Sequence, residues 1–371
     1  MTDFIKLYKV HSTGKVGYWT CEVTPMTPPH SDAKMLVTSA ASEDAKPVST
    51  VTYIQGKNIG KSNETSPFEQ ACLELVSKAN KKRDKGYVDD KPEAGASVTN
   101  TLGFTLPQKA MQLDKVKVEK IDWNTAWVQP KIDGHRAMVK DGVMYSSSGK
   151  PITTLPQFKS IPTGIHLDGE LYIHGKTLTE IGKLIKKYRP GESEKVEYHV
   201  FDSVSERNFP VRFADTMAWQ SYARLPQLVD VPTFAVDSME QVMAFHKRFL
   251  AEGYEGTMIR QGDNPYKGGS RCMDIIKIKD MQDAEYRIVG VGQGKPVTAK
   301  DGTEYQVAIF SCLASNGSPF DVLSHGTREE KHQHWLNRDS AVGKMLTVQS
   351  FGLTDYGIPN LPVAKCFRED L

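Results

Sequence analysis

The stretch AWVQPKIDGHRAMV, residues 126–139, places two cations and an anion among residues that otherwise have the pattern of a β-strand. Lys131, Asp133, Gly134 and Arg136 stand within six positions of one another. Taken alone, Asp-Gly is a common turn and a single lysine is most often a solvated surface group. The stretch therefore indicates either a polar turn between strands or a lysine placed for chemistry, and the rest of the chain has to decide between them.

The composition is that of a globular protein with more than one domain. The chain has 371 residues, 39% hydrophobic and 25% charged, which favours two or three domains. It contains no apolar run of about 18 residues, and its start lacks the apolar core of a secretory signal. Five scattered cysteines without a CxxC spacing argue against a disulfide scaffold and a zinc site. We therefore expect no membrane association and a cytoplasmic location, in the host cytoplasm if a phage encodes the protein.

The first part of the chain has the pattern of a small separate α/β domain, residues 1–95. Three strand patterns precede a helix for which Ser66 and Glu69 have the spacing of a capping box. A polar segment rich in helix and strand breakers follows and predicts a linker near residues 88–103.

The rest of the chain predicts two further domains, and the whole an α+β class. Short strands alternate with helices over residues 104–280, including a hairpin with Asp141 and Gly142 as its tight turn. Residues 281–371 are rich in strands and contain one short helix, which is typical of an OB-fold barrel.

The middle segment contains the groups that a nucleophilic lysine would need. Attack by an amine on phosphorus calls for carboxylates that bring a metal ion and for cations that neutralise phosphate oxygens. Both occur near predicted strand ends: the carboxylates are Asp168, Glu170 and Glu255, and the cations are Arg260, Lys277 and Lys279. The two lysines alternate in an otherwise apolar strand, so they face the same way and favour a phosphate ligand. Gln129 and Phe201 offer a hydrogen-bonding and an aromatic group for a base.

Five motifs together resemble a known family. KIDGHR, LDGEL, YHVFD, EGTMIR and IIKIK occur in the order and rough spacing of the covalent nucleotidyltransferases, which include ATP-dependent polynucleotide ligases and capping enzymes. A short, phage-type ATP-dependent DNA ligase is what the stretch that leads into the lysine motif most resembles: LPQKAMQLDKVKVEKIDWNTAWVQPKIDGHR. The segment YKGGSR before CMDIIKIK fits the same pattern. The resemblance covers residues 104–280 and is continued loosely by the tail. It implies an adenylation domain of antiparallel sheets with flanking helices, followed by an OB-fold domain.

The resemblance also implies a role for each matched residue. Lys131 would attack the α-phosphate of ATP and hold AMP as a phosphoramide. Gln129 would read the adenine amino group, and Phe201 would stack on the ring. Asp133 matches the carboxylate of the motif, and Arg136 the arginine at the ribose and the substrate phosphate. The remaining matches are Glu170 near ribose and metal, Glu255 at the metal, and Lys277 and Lys279 on the α-phosphate.

The implied ligands follow from the same resemblance. The cofactors would be ATP and Mg²⁺ or Mn²⁺, with Glu170 and Glu255 at the metal. The partner would be nicked or broken duplex DNA, on which the protein is expected to act as a monomer in DNA replication, repair or recombination.

Two positions depart from the family pattern. Where many members have Ser-Arg-x-Gly after the first hairpin, this chain has SSSG at 146–149, so the phosphate-binding arginine is absent there. At the C-terminus the Arg-x-Asp-Lys motif is reduced to FRED, with Arg368 and Asp370, which leaves the contacts to the triphosphate open.

The N-terminal domain has a resemblance of its own. IQGKNIGKSNETSPFEQACLELVSKANKKRDKGYV is similar to the second half of a WGR domain, a small module that binds DNA ends. The alternative is an unrelated α/β domain. In either case the basic end of its helix favours contact with DNA.

Other functions remain open at this point. An RNA ligase would share most of the motifs, and a capping guanylyltransferase would share the lysine. A non-catalytic DNA-binding relative is a third alternative. An NAD-dependent ligase is disfavoured because the chain shows no four-cysteine cluster or helix-hairpin array.

Overall fold

The computed structural model describes most of the chain, in the ranges 3–11, 14–26, 32–93, 105–299 and 303–368. Two compact units are present, Met1–Ile278 and Lys279–Leu371. The first unit includes both the N-terminal sheet and the middle segment. The division into three domains at 1–95, 104–280 and 281–371 therefore stays a prediction, and most of the expected linker lies outside the described residues.

The N-terminal subdomain, described over residues 3–93, is an antiparallel sheet covered by one helix. The strands are β1 (Asp3–Val10), β2 (Val16–Pro25), β3 (Ala33–Ala40) and β4 (Val48–Ile54), paired in that order. Helix α1 (Pro67–Arg83) packs Leu75 against Leu7 and Trp19 of the sheet. The capping box of Ser66 and Glu69 is present, which confirms the predicted start of the helix.

The middle segment, residues 105–278, contains two five-stranded sheets and three helices. Its strands are β5 (Lys109–Gln112), β6 (Trp127–Lys131), β7 (His135–Lys140), β8 (Val143–Ser146), β9 (His166–Tyr172), β10 (Glu197–Ser203), β11 (Leu228–Asp230), β12 (Phe234–Ala235), β13 (Gly256–Arg260) and β14 (Arg271–Ile278). Its helices are α2 (Leu178–Lys186), α3 (Phe209–Ala223) and α4 (Met239–Ala251). One sheet has the order β11-β10-β9-β7-β8 and the other β12-β6-β13-β14-β5, with mostly antiparallel pairing.

The hairpin between β7 and β8 has the predicted tight turn. Asp141 and Gly142 both have positive φ values, of 51° and 80°, and Lys140 pairs with Val143 across the turn. Two positive φ values are what a two-residue hairpin loop requires, and Asp-Gly is one of the few dipeptides that adopt them at low cost. The hairpin prediction is confirmed.

The C-terminal unit is built from short strands and one helix. Its elements are β15 (Gln282–Gln293), β16 (Val297–Thr298), β17 (Glu304–Tyr305), β18 (Ala308–Leu313), β19 (Pro319–Leu323), α5 (Arg328–Leu336), β20 (Met345–Ser350) and β21 (Val363–Phe367). The main sheet has the order β19-β18-β15-β20-β21, and the described pairings do not close it into a barrel. Its core packs Phe310 against Tyr286, Leu346 and their neighbours.

Membrane-crossing helices are not found in the described residues: none of the helices there is both long and apolar enough to span a bilayer. The longest, α1, has 17 residues, several of them charged.

Candidate active site

A cavity of about 360 Å³ lies between the two sheets of the middle segment. One wall comes from β5, β6, β13 and β14, and the other from β7, β9 and β10. Seven of the sequence-predicted residues line it: Gln129, Lys131, Asp133, Arg136, Glu170, Phe201 and Lys277. Residues that are up to about 150 positions apart in the chain are thus brought to one concave, mixed polar and apolar surface, which is the usual form of a small-molecule site.

Lys131 is the last residue of β6 and forms an ion pair with Glu255. Its Nζ donates a hydrogen bond to Glu255 Oε2, and the two side chains are 21% and 13% exposed. The backbone holds the two residues next to each other, because the Glu255 amide donates to the Lys131 carbonyl at 3.0 Å and Gly256 pairs with Lys131 in the sheet. The amine and a proton acceptor therefore lie together at the cavity.

Gly134 allows the turn after Lys131 to lie directly against β9. A Cβ atom at this position would be 2.5 Å from the Leu171 carbonyl oxygen and 2.7 Å from Glu170 Cγ. No other residue fits without a shift of the backbone. The glycine of the KIDG motif is thus required by close packing, and it brings Glu170 towards Lys131.

Arg136 is held by a buried carboxylate. Its Nε and Nη2 donate to Asp168 Oδ1 and Oδ2 at 2.9 and 2.5 Å, and its Nη1 donates to the Gln108 carbonyl at 2.7 Å. Asp168 is fully buried and also accepts from the Tyr266 hydroxyl at 2.5 Å. Burial disfavours the charged guanidinium, but the neighbouring Asp168 outweighs this effect and raises the pKa of Arg136.

These contacts change the interpretation of the LDGE motif. Asp168 and Glu170 alternate on β9, and the sequence suggested that both supply carboxylates for a metal. Asp168 is instead fully engaged with Arg136 and Tyr266. Its partners lie on distant segments, so no local pattern could indicate them.

Glu170 opens onto the cavity but is otherwise enclosed by protein. This burial raises the pKa of Glu170 to about 8, against the opposing influence of Arg136 and Lys131. A carboxyl with such a pKa responds strongly to an added cation, since a bound cation favours the ionised form.

Phe201 lies on the cavity wall close to two guanidinium groups. Its ring centroid is 5.4 Å from Arg136 Cζ and 5.2 Å from Arg260 Cζ. Arg260 is buried and donates to Gln129 Oε1 at 3.0 Å and to Asp202 Oδ2 at 3.1 Å. The sequence identified Arg260 only as a cation near a strand end, and it did not identify Asp202, which supports it.

Gln129 is almost completely buried and has partners on both sides of its amide. Its Nε2 donates to the Phe201 carbonyl at 3.1 Å and to Thr233 Oγ1 at 2.9 Å, while Oε1 accepts from Arg260. A carbonyl oxygen has two lone pairs, so Oε1 retains the capacity to accept one hydrogen bond from a base.

The predicted pair of lysines is divided between the two units, since Lys277 lies in β14 and Lys279 follows its last residue. Lys277 lines the cavity, while Ile276 and Ile278 on either side of it are buried in the core. Lys279 is the first residue of the C-terminal unit, where its Nζ lies 4.5 Å from the Phe351 ring centroid. Its role at a phosphate stays a prediction.

Two further cations on the cavity wall were not identified from the sequence. Lys109 and Arg271 line it from β5 and from the start of β14. Both stand in the quoted stretches LPQKAMQ and YKGGSR, but nothing in their local spacing distinguishes them from surface cations.

The C-terminal motif residues are only partly described. Arg368 Nη1 lies 3.1 Å from Glu285 Oε2, within the C-terminal unit. Asp370 lies outside the described residues. Contacts from either residue to a triphosphate stay a prediction.

Glu170 and Glu255 could serve a divalent cation. Both are coupled to Lys131, since Glu255 forms an ion pair with it and the charge of Lys131 opposes the rise in the pKa of Glu170. In the described part of the chain no three His, Cys, Asp or Glu residues gather around a common point. Mg²⁺ commonly binds through one or two carboxylates together with substrate phosphates and water, so the residues fit an ion that arrives with a nucleotide.

Comparison with known proteins relates the middle segment to a known family. Residues 107–279 match the family model described as the ATP dependent DNA ligase domain. This segment, just under half of the chain, is therefore similar to ATP-dependent DNA ligase domains. The match extends over every predicted site residue, from Gln129 to Lys279.

Similar proteins and solved structures agree with this match. A DNA ligase of African swine fever virus is 27% identical over 361 residues, which cover 89% of this chain and 82% of the viral protein. A DNA ligase of Halobacterium salinarum is 24% identical over 239 residues, 55% of this chain and 42% of its own length. Among solved structures, a Lig E DNA ligase aligns with a TM-score of 0.59 and 23% identity, over 71% of this chain and 99% of its own. This likeness confirms the α+β fold with nucleotidyltransferase and OB-fold domains.

Proposed function

We propose that this protein is an ATP-dependent DNA ligase that seals nicked or broken duplex DNA through AMP held on Lys131. The observation that carries the proposal is the position of Lys131. It lies in a cavity lined by five further cations and two carboxylates, and it is paired with Glu255, inside a segment that matches the ligase family.

In the first step, Lys131 Nζ would attack the α-phosphorus of ATP. A P–N bond forms, the bond to the bridging oxygen breaks, and pyrophosphate leaves. Attack requires the neutral amine, and Glu255 is the acceptor nearest to its proton. Arg136 and Lys277 would neutralise phosphate oxygens from the cavity wall. A metal at Glu170 and Glu255, Mg²⁺ or Mn²⁺, would withdraw further charge from the phosphate.

Two transfers complete the reaction. An oxygen of the 5′-phosphate at the break attacks the same phosphorus, the P–N bond breaks, and the amine takes up a proton. The 3′-hydroxyl then attacks the 5′-phosphorus, its proton is lost, and AMP departs. Lys131 takes part in the first two steps but not in the third, so the third step can be tested in a protein that lacks this lysine.

Base selection would rest on Phe201 and Gln129. An aromatic ring that stacks on a base contributes about 1–3 kcal/mol. The free lone pair of Gln129 Oε1 matches a donor such as the adenine amino group, whereas the corresponding position of guanine is an acceptor.

The deciding experiment labels the protein with ATP or GTP that is radioactive at the α-phosphate. We expect an acid-labile, base-stable adduct with ATP and none with GTP, on a peptide that contains Lys131. A guanylyl adduct would favour a capping enzyme. Tight nick binding without any adduct, at saturating ATP and Mg²⁺, would favour a non-catalytic DNA-binding protein.

The polymer is tested separately. We expect sealing of nicked duplex DNA, with a loss of activity when both strands at the nick are RNA.

The proposal also includes action as a monomer and a cytoplasmic location. Light scattering of the protein on a nicked duplex would test the first, and imaging of a tagged full-length chain the second.

A further inference from the structure

A second cavity, of about 740 Å³, lies between the N-terminal subdomain and the middle segment, within one compact unit. We call it the lysine groove. The N-terminal subdomain contributes Lys9, Lys81, Lys82 and Lys85 to its wall, and the middle segment contributes Lys109, Arg136 and Arg271. Asp84 is the one acidic side chain on this wall in the described residues, and it forms an ion pair with Lys150 at 2.8 Å. The groove therefore has a large excess of positive charge.

The cations of the groove repel one another. Burial, followed by the charges of Lys109, Lys82 and Lys85, lowers the pKa of Lys9 to about 8. Burial and the charges of Arg271, Lys85 and Arg136 lower the pKa of Lys109. Each cation thus makes the charged form of the others less favourable, and a bound anion would reverse this effect. The repulsion lowers the stability of the folded protein, and a bound anion would offset this loss.

The lysines from the N-terminal subdomain are held in place. Lys82 Nζ lies 4.8 Å from the Tyr87 ring centroid and 5.6 Å from that of Trp19. Lys9 Nζ lies 5.5 Å from Tyr87 and donates to the Lys85 carbonyl at 2.5 Å. The segment after α1 is tied to β1, because the Tyr8 and Val88 backbones exchange two hydrogen bonds of 2.8 Å. Cations that are already ordered lose little freedom when they bind an anion.

The groove adjoins the nucleotide cavity. Lys109, Arg136 and Arg271 line both cavities. Ser147 and Ser148, from the hairpin segment that lacks an arginine, lie on the wall of the groove. On this side of the site the additional cations come from the N-terminal subdomain.

We propose that the lysine groove binds backbone phosphates of the DNA strand next to the reacting nick, so that the N-terminal subdomain completes the DNA site of the enzyme. The inference rests on the proposed ligase function. The groove is about twice as large as the nucleotide cavity, and its cations come from five separate segments of the chain, which suits a chain of phosphates better than a single triphosphate tail.

The test uses the full-length protein with Lys82→Gln and Lys85→Gln combined. Glutamine removes the charge but keeps most of the side-chain length, and the Lys85 carbonyl that accepts from Lys9 is unchanged. The charge-retaining partner variant combines Lys82→Arg and Lys85→Arg. The matched control is Lys78→Gln, an exposed lysine one turn earlier on α1 and not on the wall of the groove. Melting curves would establish that all variants are folded.

Nick binding, measured without ATP between about 50 and 200 mM salt, is the primary readout. We expect about tenfold weaker binding for the double glutamine variant at the lower salt concentration. Each phosphate contact contributes about 0.9 to the slope of log affinity against log salt concentration. The loss of two contacts should therefore make this slope shallower by about 1.8. The double arginine variant and Lys78→Gln should bind as the wild type does. Unchanged affinity and slope in the glutamine variant would overturn the inference.

Two further readouts identify the anion and separate this inference from the function it rests on. We expect the KM for ATP in adduct formation to change by less than about twofold, while sealing of a pre-adenylated nick falls with DNA affinity. A higher KM for ATP with normal nick binding would mean that the groove holds the triphosphate, and would overturn the inference. If the wild type binds nicks but forms no adduct, the ligase proposal fails while the groove remains testable by DNA binding.

Discussion

Arg136 and Asp168 form a bidentate pair in which a fully buried carboxylate orients the cation that faces the nucleotide cavity. The two residues come from adjacent antiparallel strands, β7 and β9. A forked pair has one preferred geometry, so it determines the direction of the guanidinium as well as its charge. Asp168 is therefore a positioning residue, and its effect on the reaction passes through Arg136.

The first prediction concerns this pair. Asp168→Asn leaves Arg136 without its counter-charge, so we expect the free energy of unfolding to fall by about 3 kcal/mol. We also expect kcat for sealing a pre-adenylated nick to fall at least about tenfold. Tyr266→Phe removes the hydrogen bond to the same carboxylate and the one from the Gln108 amide but keeps the ion pair, so it should cost about 2 kcal/mol of stability and little activity. Full activity in a folded Asp168→Asn protein would contradict the positioning role.

The second prediction is a pH dependence of stability. Burial raises the pKa of Glu170 to about 8, well above the value of about 4.3 expected for an unfolded chain. Between these values the native protein holds a proton that the unfolded chain releases, so the contribution of Glu170 to stability declines as the pH rises from about 4.3 to 8.

Urea unfolding without nucleotide or metal would measure this effect. We expect Glu170→Gln to gain stability relative to the wild type as the pH rises through this window, with no further change above it. Glu119→Gln, at an exposed glutamate, serves as the control and should follow the wild type. A constant difference between Glu170→Gln and the wild type across the window would show that Glu170 keeps an ordinary pKa.

Local features of the fold were predictable from the sequence because neighbouring residues determine them. The capping box of Ser66 and Glu69 and the turn at Asp141 depend only on side chains and φ values within a few positions. The five motifs likewise pointed to one cavity, since each lies in or directly beside a strand that lines it.

The partners of the charged residues were not predictable, because they depend on how distant segments meet. Alternation on β9 suggested a common role for Asp168 and Glu170, but Arg136 and Tyr266 engage only Asp168. The lysine groove is a similar case. Its cations come from segments that, taken separately, have the composition of ordinary solvated surfaces.

The third prediction separates the steps of the reaction at Lys131. Lys131→Ala should abolish the labelled adduct, since no other amine replaces the nucleophile, while a pre-adenylated nick is still sealed at a reduced rate. Gel assays of both activities in one preparation would measure this. Equal loss of the two activities, accompanied by a lower melting temperature, would indicate misfolding and leave Lys131 without its assigned role.

The fourth prediction concerns base binding at Phe201. Replacing its ring by leucine keeps an apolar side chain but removes the stacking surface, which is worth about 1–3 kcal/mol per base. We therefore expect Phe201→Leu to raise the KM for ATP in adduct formation about tenfold, with less effect on sealing once AMP is already on the DNA. Phe201→Tyr retains the ring and should have a KM near that of the wild type. If Phe201→Leu and Phe201→Tyr had similar KM values for ATP, the ring of Phe201 would contribute to core packing and not to base binding.

The last prediction tests whether close packing at Gly134 builds the site. A methyl group there would meet the Leu171 carbonyl oxygen at 2.5 Å, a backbone atom that cannot move without displacing β9. We expect Gly134→Ala to reduce the rate of adduct formation about a hundredfold or more, because the shift moves Glu170 relative to Lys131. Gly290→Ala is the matched control, since a methyl group at this strand glycine meets only ordinary contacts at 3.9 Å. If Gly134→Ala forms the adduct at the wild-type rate, the strand can yield, and the spacing between Lys131 and Glu170 is not what limits the first step.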